Sequence, residues 1–355
     1  MADPSSYKLK VETVARGLRN PWSLAFLPAG FLLVTERPGR LRIISPRGQV
    51  GAPVGGLPRI AARGQGGLLD VQLSPRFADD QTIFFSFSEP RGRGRNGTSV
   101  ARARLVRDGA EALTAKLTDL RIIFRQKPDY RSSAHFGSRL VFARDGTLFV
   151  TLGDRYSLKD EAQNPANHIG KLVRINQDGS APADNPRKPG WAPEIYSIGH
   201  RNVQGAARHP ATGRLYTIEH GAAGGDEINR PEPGKNYGWP VITYGRDYSG
   251  AKIGIGTRKT GMEQPLYYWD PSIAPSGAAF YTGSLFPAWK GDLFIGALAS
   301  RLVARMRMRD GKIESEERLL EDLGERIRDV RDGPDGALWL LSDRADGRVL
   351  RVVPG

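Results

Sequence analysis

Five histidines, a pair of closely spaced arginines and one glycine-rich acidic loop are the parts of this sequence with the means to do chemistry. The histidines are His135, His168, His200, His209 and His220, and no two of them have the spacing of a helix-borne zinc site. A lone histidine is by default a structural or surface residue. His135 stands out because it precedes Phe-Gly-Ser-Arg and a hairpin pattern, RLVFARDGTLFVTLGD (139–154), that ends in Gly153-Asp154. That hairpin can fold Asp154 back beside the imidazole and fix its tautomer, which is the arrangement a general base needs. Other carboxylates, Asp145 among them, read equally well as turn residues.

Arg201 and Asn202 lie in a glycine-flanked segment, GHRNVQG (199–205), and Arg326 and Arg328 stand two apart on an expected strand, so their side chains share one face. Two guanidinium groups aimed into a channel suit bidentate recognition of a polyanion such as a tricarboxylate. A pair of surface arginines would be written the same way. In GAAGGDEIN (221–229) the glycines leave backbone carbonyls free to face a cation, and Asp226 and Glu227 offer the hard oxygens calcium prefers. The spacing is not that of an EF-hand, and the loop by itself names no metal.

The elements that must position these residues show when turn-centred segments are stacked. Residues 22–36, 70–87, 139–154, 207–220, 278–297 and 329–343 each read as a β-run, a turn rich in Pro, Asp or Gly, and a second β-run. Six four-stranded units built on these hairpins would fill the 355 residues. A hairpin cannot bury both faces alone, and radial stacking solves that while leaving only short edges. The expected fold is therefore all-β, a six-bladed β-propeller forming a single domain over 1–355, with YKLKVETVA (7–15) and GRVLRVVP (347–354) closing the ring. A pair of β-sandwiches is the alternative. With 43 Gly and 25 Pro, long helices are disfavoured.

Composition excludes more than it assigns. There is no cysteine, which removes disulfides, thiolate catalysis, Cys-ligated zinc and iron–sulfur clusters. The formal charge is +14, but the basic residues are scattered and no nucleic-acid motif accompanies them, so no nucleic-acid partner is expected. No apolar run reaches the length of a membrane span. The first residues, MADPSSYKLKVE, carry no apolar signal-peptide core, although a processed secreted protein would read the same.

Taken in order, GQGGLLDV, HFGSRLVF, LGDR, GHRNVQG, GGDEIN, NYGWPVITYG, WDPSIAPSG and RIRDV strongly resemble the soluble aldose sugar dehydrogenases dependent on pyrroloquinoline quinone, one family with soluble glucose dehydrogenase and sorbosone dehydrogenase-like proteins. The resemblance implies a six-bladed propeller with pyrroloquinoline quinone (PQQ) across the channel mouth and calcium beside it. It implies that His135 takes the proton from the anomeric hydroxyl of an aldose while the C1 hydride passes to the quinone, leaving a lactone, and that Asp154 orients His135. It places Gln65, Arg201, Asn202, Ser272, Arg326 and Arg328 on the cofactor. The backbone carbonyls of Gly221 and Ala222 match the pair on the cofactor-linked calcium, and Glu227 with the carbonyl of Tyr237 a second, structural calcium. It also implies a periplasmic or secreted enzyme, expected as a monomer, whose electron acceptor the sequence does not identify.

Three positions depart from the family pattern. Ala222 stands where Pro is frequent, Ala134 where the glucose-oxidising branch has an acid, and Ala299 where that branch has a cofactor-binding Lys. The last two point to the broader aldose-oxidising branch. The rival readings are a propeller used only as a binding module, which would not need His135, Arg201, Arg326 and Arg328 together, and a calcium-dependent lactonase, which would gather several carboxylates on one central metal.

Overall fold

The computed structural model describes residues 7–355; residues 1–6, part of the N-terminal stretch read above, lie outside it. Six four-stranded antiparallel sheets stand in a ring. Strand β1 (Leu9–Leu18) comes first in the chain but belongs to the last sheet. The first blade is β2–β5 (Pro21–Phe26, Leu32–Glu36, Arg40–Ile44, Val50–Pro53) and the second β6–β9 (Leu68–Leu73, Thr82–Pro90, Asn96–Arg107, Ala115–Arg125). The third is β10–β13 (Leu140–Phe142, Leu148–Thr151, Lys171–Ile175, Ile195–Ile198) and the fourth β14–β17 (Val203–Arg208, Leu215–Glu219, Asp226–Asn229, Tyr267–Trp269). The fifth is β18–β21 (Pro275–Phe280, Leu293–Ala297, Val303–Arg309, Lys312–Leu319), and the sixth is β22–β24 (Ile327–Asp332, Leu338–Ser342, Gly347–Pro354) completed by β1. Helix is confined to single short turns such as Phe77–Asp80.

All six hairpins read from the sequence are the inner two strands of a blade. The first strands, β2, β6, β10, β14, β18 and β22, contact one another in that order around the channel. Because the inner hairpins are covered on both faces, strands such as β3 and β19 are buried along their whole length, whereas the perimeter strand β21 is largely open. The expected closure holds: β1 pairs antiparallel with β24, from Leu9 opposite Pro354 to Leu18 opposite Gly347.

Each blade packs on the next through its own apolar cluster. Leu33, Phe85 and Phe87 knit the first blade to the second, and Tyr216, Ile295 and Met306 the fourth to the fifth. The seam between the third and fourth blades is thinnest, with Phe149, Leu172, Ala206 and Leu215 as its buried core. Inside the channel lies a buried ionic knot. Asp329 meets Arg139 at 2.9 Å and Arg331 at 2.8 Å, and Asp70 meets Arg331 at 2.9 Å. Asp70 also accepts from the Ser23 hydroxyl at 2.5 Å and the Leu140 amide at 2.7 Å. Two cations and two anions from three blades cancel, which is the condition for burying them.

Candidate active site

The start of a blade's first strand and the end of its second are neighbours in an antiparallel pair, so these positions from all six blades meet at one rim. That rim carries the chemistry. His135 precedes β10 and Asp154 follows β11. The imidazole Nδ1–H donates to Asp154 Oδ1 at 2.6 Å, and both groups are buried. Gly153 makes the approach feasible, because a Cβ there would stand 2.2 Å from the His135 carbonyl oxygen. His135 itself takes φ of +50°, a left-handed conformation costing about 1–2 kcal/mol for a side chain of its kind. It is held by the Gln65 side chain, whose Oε1 accepts the His135 amide at 2.8 Å.

Asp154 is fully committed. Its Oδ2 accepts the Trp239 indole N–H at 2.8 Å and its Oδ1 the Tyr156 amide at 2.8 Å. With Nδ1–H pinned, the lone pair sits on Nε2, which hydrogen-bonds no described residue. Burial pushes the imidazole below its ordinary 6.5, Asp154 opposes this, and Arg201 and Arg155 add to the depression. The result is a neutral base at pH 7.

Beside it opens a cleft of about 280 Å³ lined by Trp22, Arg37, Gln65, Asn202, Gln204, His220, Ala274, Leu298, Arg326, Arg328 and Asp343. Trp22 is part of its lining, with the knot's Arg139 4.2 Å from the indole ring. Arg326 and Arg328 do share a face. Both donate to Asp343 Oδ2, at 3.3 and 3.0 Å, and Arg328 also donates to Gln204 Oε1 at 3.1 Å. Arg328 is buried, so the surface-strand alternative does not describe it. Asn202 accepts the Gly137 amide and the Gln204 side chain through Oδ1, each at 3.2 Å. Arg37, Arg326 and Arg328 outnumber the single carboxylate of Asp343, and the buried Nε atoms of Arg328 and Arg201 have no hydrogen-bond partner among the described residues. An anionic ligand with several acceptor oxygens fits such a wall.

The Gly221 loop forms the neighbouring corner. Arg201 donates to the Gly221 carbonyl and, at 3.3 Å, to that of His220, with its guanidinium 5.2 Å from the Trp239 ring. His220 donates from Nε2 to the Pro275 carbonyl at 2.6 Å, and burial lowers its pKa to about 4. Beneath, Glu227 is pushed up to about 8 by burial and by Glu219 and Asp226, and Asn229 Oδ1 is buried without a partner among the described residues. A cation would relieve both. Among the described residues no three His, Asp or Glu side chains are arranged to hold a metal, so such a cation would rely on Glu227 together with backbone carbonyls and the Asn229 amide oxygen.

Two expectations change here. Asp226, read from sequence as a ligand, is a loop strut: it accepts from the Gly221, Ile273 and Ala274 amides at 2.8, 2.8 and 3.0 Å and from the Ser272 hydroxyl at 2.6 Å. Ser272 spends its hydroxyl on that strut, and it is Ala274, two residues on, that lines the cleft. Tyr237, whose carbonyl the resemblance singled out, stacks its ring on His200 at 5.0 Å, and His200 is braced by Glu219 at 3.0 Å. Sequence reasoning missed Trp22, Arg37, Gln204, His220, Trp239 and Asp343. Asp343 and His220 left a signal: each ends its hairpin as Asp154 ends its own.

The Glucose / Sorbosone dehydrogenase family matches residues 18–351. The chain belongs to this family. Aldose sugar dehydrogenase YliI of Escherichia coli K12 is 45% identical over 98% of this chain and 93% of its own. The apo crystal structure of the soluble aldose sugar dehydrogenase from E. coli superposes with a TM-score of 0.93 at 45% identity, covering 98% of this chain and all of that one. The PQQ-bound aldose sugar dehydrogenase of Streptomyces coelicolor superposes with a TM-score of 0.81 at 28% identity, over 99% of this chain and 100% of its own. As a member of the glucose/sorbosone dehydrogenase family the chain shares their six-bladed ring. No helix among the described residues is long and apolar enough to cross a membrane.

Proposed function

We propose that this family member is an oxidoreductase that oxidises aldoses at C1 to lactones, with PQQ in the cleft and calcium at the Gly221 loop. The observation that carries the reading is the free Nε2 of a neutral His135, oriented by Asp154 at 2.6 Å beside an arginine-rich cleft. When bound, the quinone supplies a two-electron hydride acceptor and calcium supplies Lewis acidity beside it.

The remaining work falls to the chain. Arg326, Arg328, Gln65 and Asn202 hold carboxylate and carbonyl oxygens, and Trp22 offers the planar ligand an aromatic contact. Arg201 would add its guanidinium to the anion's partners, and the carbonyls of Gly221 and Ala222 would hold calcium. Glu227 and the Tyr237 carbonyl take the second calcium. His135 Nε2 accepts the anomeric hydroxyl proton as the C–H bond is broken, and Asp154 steadies the imidazolium that forms. The test is reconstitution with PQQ and calcium followed by dye reduction on a panel of aldoses. Reduction that depends on quinone, calcium and sugar together is expected; a cofactor-loaded protein that reduces no dye with any aldose overturns the reading.

A further inference from the structure

Tyr156 is a large side chain left 57% exposed, two residues beyond Asp154. Its position is held against the backbone's preference. Arg155 and Tyr156 take φ of +59° and +72° in succession, a conformation bulky residues avoid. The turn is secured from both sides. The Tyr156 amide donates to Asp154 Oδ1 at 2.8 Å. Arg155 folds inward, buried, with its guanidinium 3.8 Å from the Phe136 ring, and donates to Asn96 Oδ1 at 2.6 Å and the Ser132 carbonyl at 2.8 Å. The strained turn thus delivers an apolar ring to solvent at one fixed place.

That place is the catalytic base. The Tyr156 ring meets the His135 imidazole edge to face, with centroids 5.3 Å apart and planes at 72°. One margin of the phenol ring is used in that contact, much of the rest is open to solvent, and its hydroxyl hydrogen-bonds no described residue. A rigid amphipathic ring offers an apolar face and a polar tip at low entropy cost. A pyranose presents the complement, a C–H face flanked by hydroxyls.

Resting on the function proposed above, we infer that Tyr156 is the platform on which the pyranose ring of the aldose lies, its C–H face on the phenol ring, its C1 hydroxyl at His135 Nε2 and another hydroxyl at the phenol oxygen. The platform makes the site selective for cyclic sugars over open-chain polyols, because only the ring has a continuous apolar face to lay down. It contributes equally to substrate and transition state, so it acts on KM and not on turnover.

The test compares the parent with Y156A and Y156F, each loaded with PQQ and calcium. Y156A is expected to raise KM for pyranoses roughly tenfold with kcat within about threefold of the parent. Y156F, which keeps the ring, raises KM less. Methyl glucoside, which has no free anomeric hydroxyl, supplies a readout without turnover: its saturation-transfer NMR signal on the parent is lost with Y156A. Unchanged KM and unchanged glycoside signal in Y156A overturn the inference. So does a fall in kcat at constant KM, which would make the ring a support for His135. If the parent oxidises no aldose, the proposed function fails on its own account, and the glycoside signal alone decides whether Tyr156 receives a sugar.

Discussion

The hairpins of the third and sixth blades end alike and serve opposite purposes. β10–β11 runs into Asp154 and β22–β23 into Asp343, each an acid just past the second strand. Asp154 accepts from His135, Trp239 and Tyr156 and leaves one imidazole nitrogen free. Asp343 faces Arg326 and Arg328, and its pKa is lowered: burial raises it, but Arg328, Arg37 and Arg326 together outweigh that burial. The first hairpin builds a base complete before any ligand arrives. The second leaves surplus positive charge and a guanidinium nitrogen unmatched among the described residues. The repeat supplies a position, and the residues facing it across the rim decide what that position does.

The strongest way to break this contrast is to remove the base. His135→Ala should fold and bind quinone and calcium as the parent does, yet lose about 10²–10⁴-fold in turnover on every sugar. Near-parental turnover in a cofactor-loaded variant would sink the mechanism. Asp154→Asn should fall between that variant and the parent, since it loosens the imidazole without deleting it. The pH profile sharpens the point. The competent imidazole is neutral, so kcat/KM in the parent should be level above pH 6.5 and decline only on acidification through the depressed pKa of His135. Asp154 raises that pKa, so the asparagine variant should move the acid limb to lower pH while lowering the plateau. A limb that stays where it was would mean another group titrates.

Changes in the sixth-blade hairpin should act on cofactor affinity instead. Arg328→Ala should weaken quinone binding by about 1.5–3 kcal/mol, the scale of a hydrogen bond to a charged group, measured by titration. Asp343→Asn should alter cofactor affinity and leave kcat of the saturated enzyme near the parent's. If Asp343→Asn lowers kcat as Asp154→Asn does, the two acids are not separated in role. Calcium should be required for quinone-dependent activity and should raise the melting temperature by binding the folded chain alone. Equal melting temperatures with calcium and with excess chelator would remove the metal from the scheme. His209→Ala sets the baseline. His209 sits on the β14–β15 turn, where its Nδ1 accepts the Thr212 amide at 3.2 Å, and its loss should cost little activity.

Each blade is a local object, and this made much of the fold legible. Strand alternation and turn residues fixed the six inner hairpins within a few residues, and the apolar pattern at both termini foretold the β1–β24 closure. His135 and Asp154 were legible for the same reason, since one hairpin joins them. The sequence also identified Arg326 and Arg328 as sharing a face by assuming alternation along one strand; Arg326 in fact stands one residue before β22, and the two meet at Asp343. What it could not decide is which loops meet at the rim. Trp239 reaches Asp154 across 85 residues and Gln65 reaches the His135 amide across 70, by contacts no periodicity encodes. Asp226 is a strut because it lies opposite Trp269 in the β16–β17 pair, which brings the 272–274 loop just beyond that strand onto it, satisfying its oxygens before a cation could. Strand and turn patterns are set by neighbours within a dozen residues, whereas the function of a rim side chain is set by the blade that packs beside it, and only the closed ring determines that.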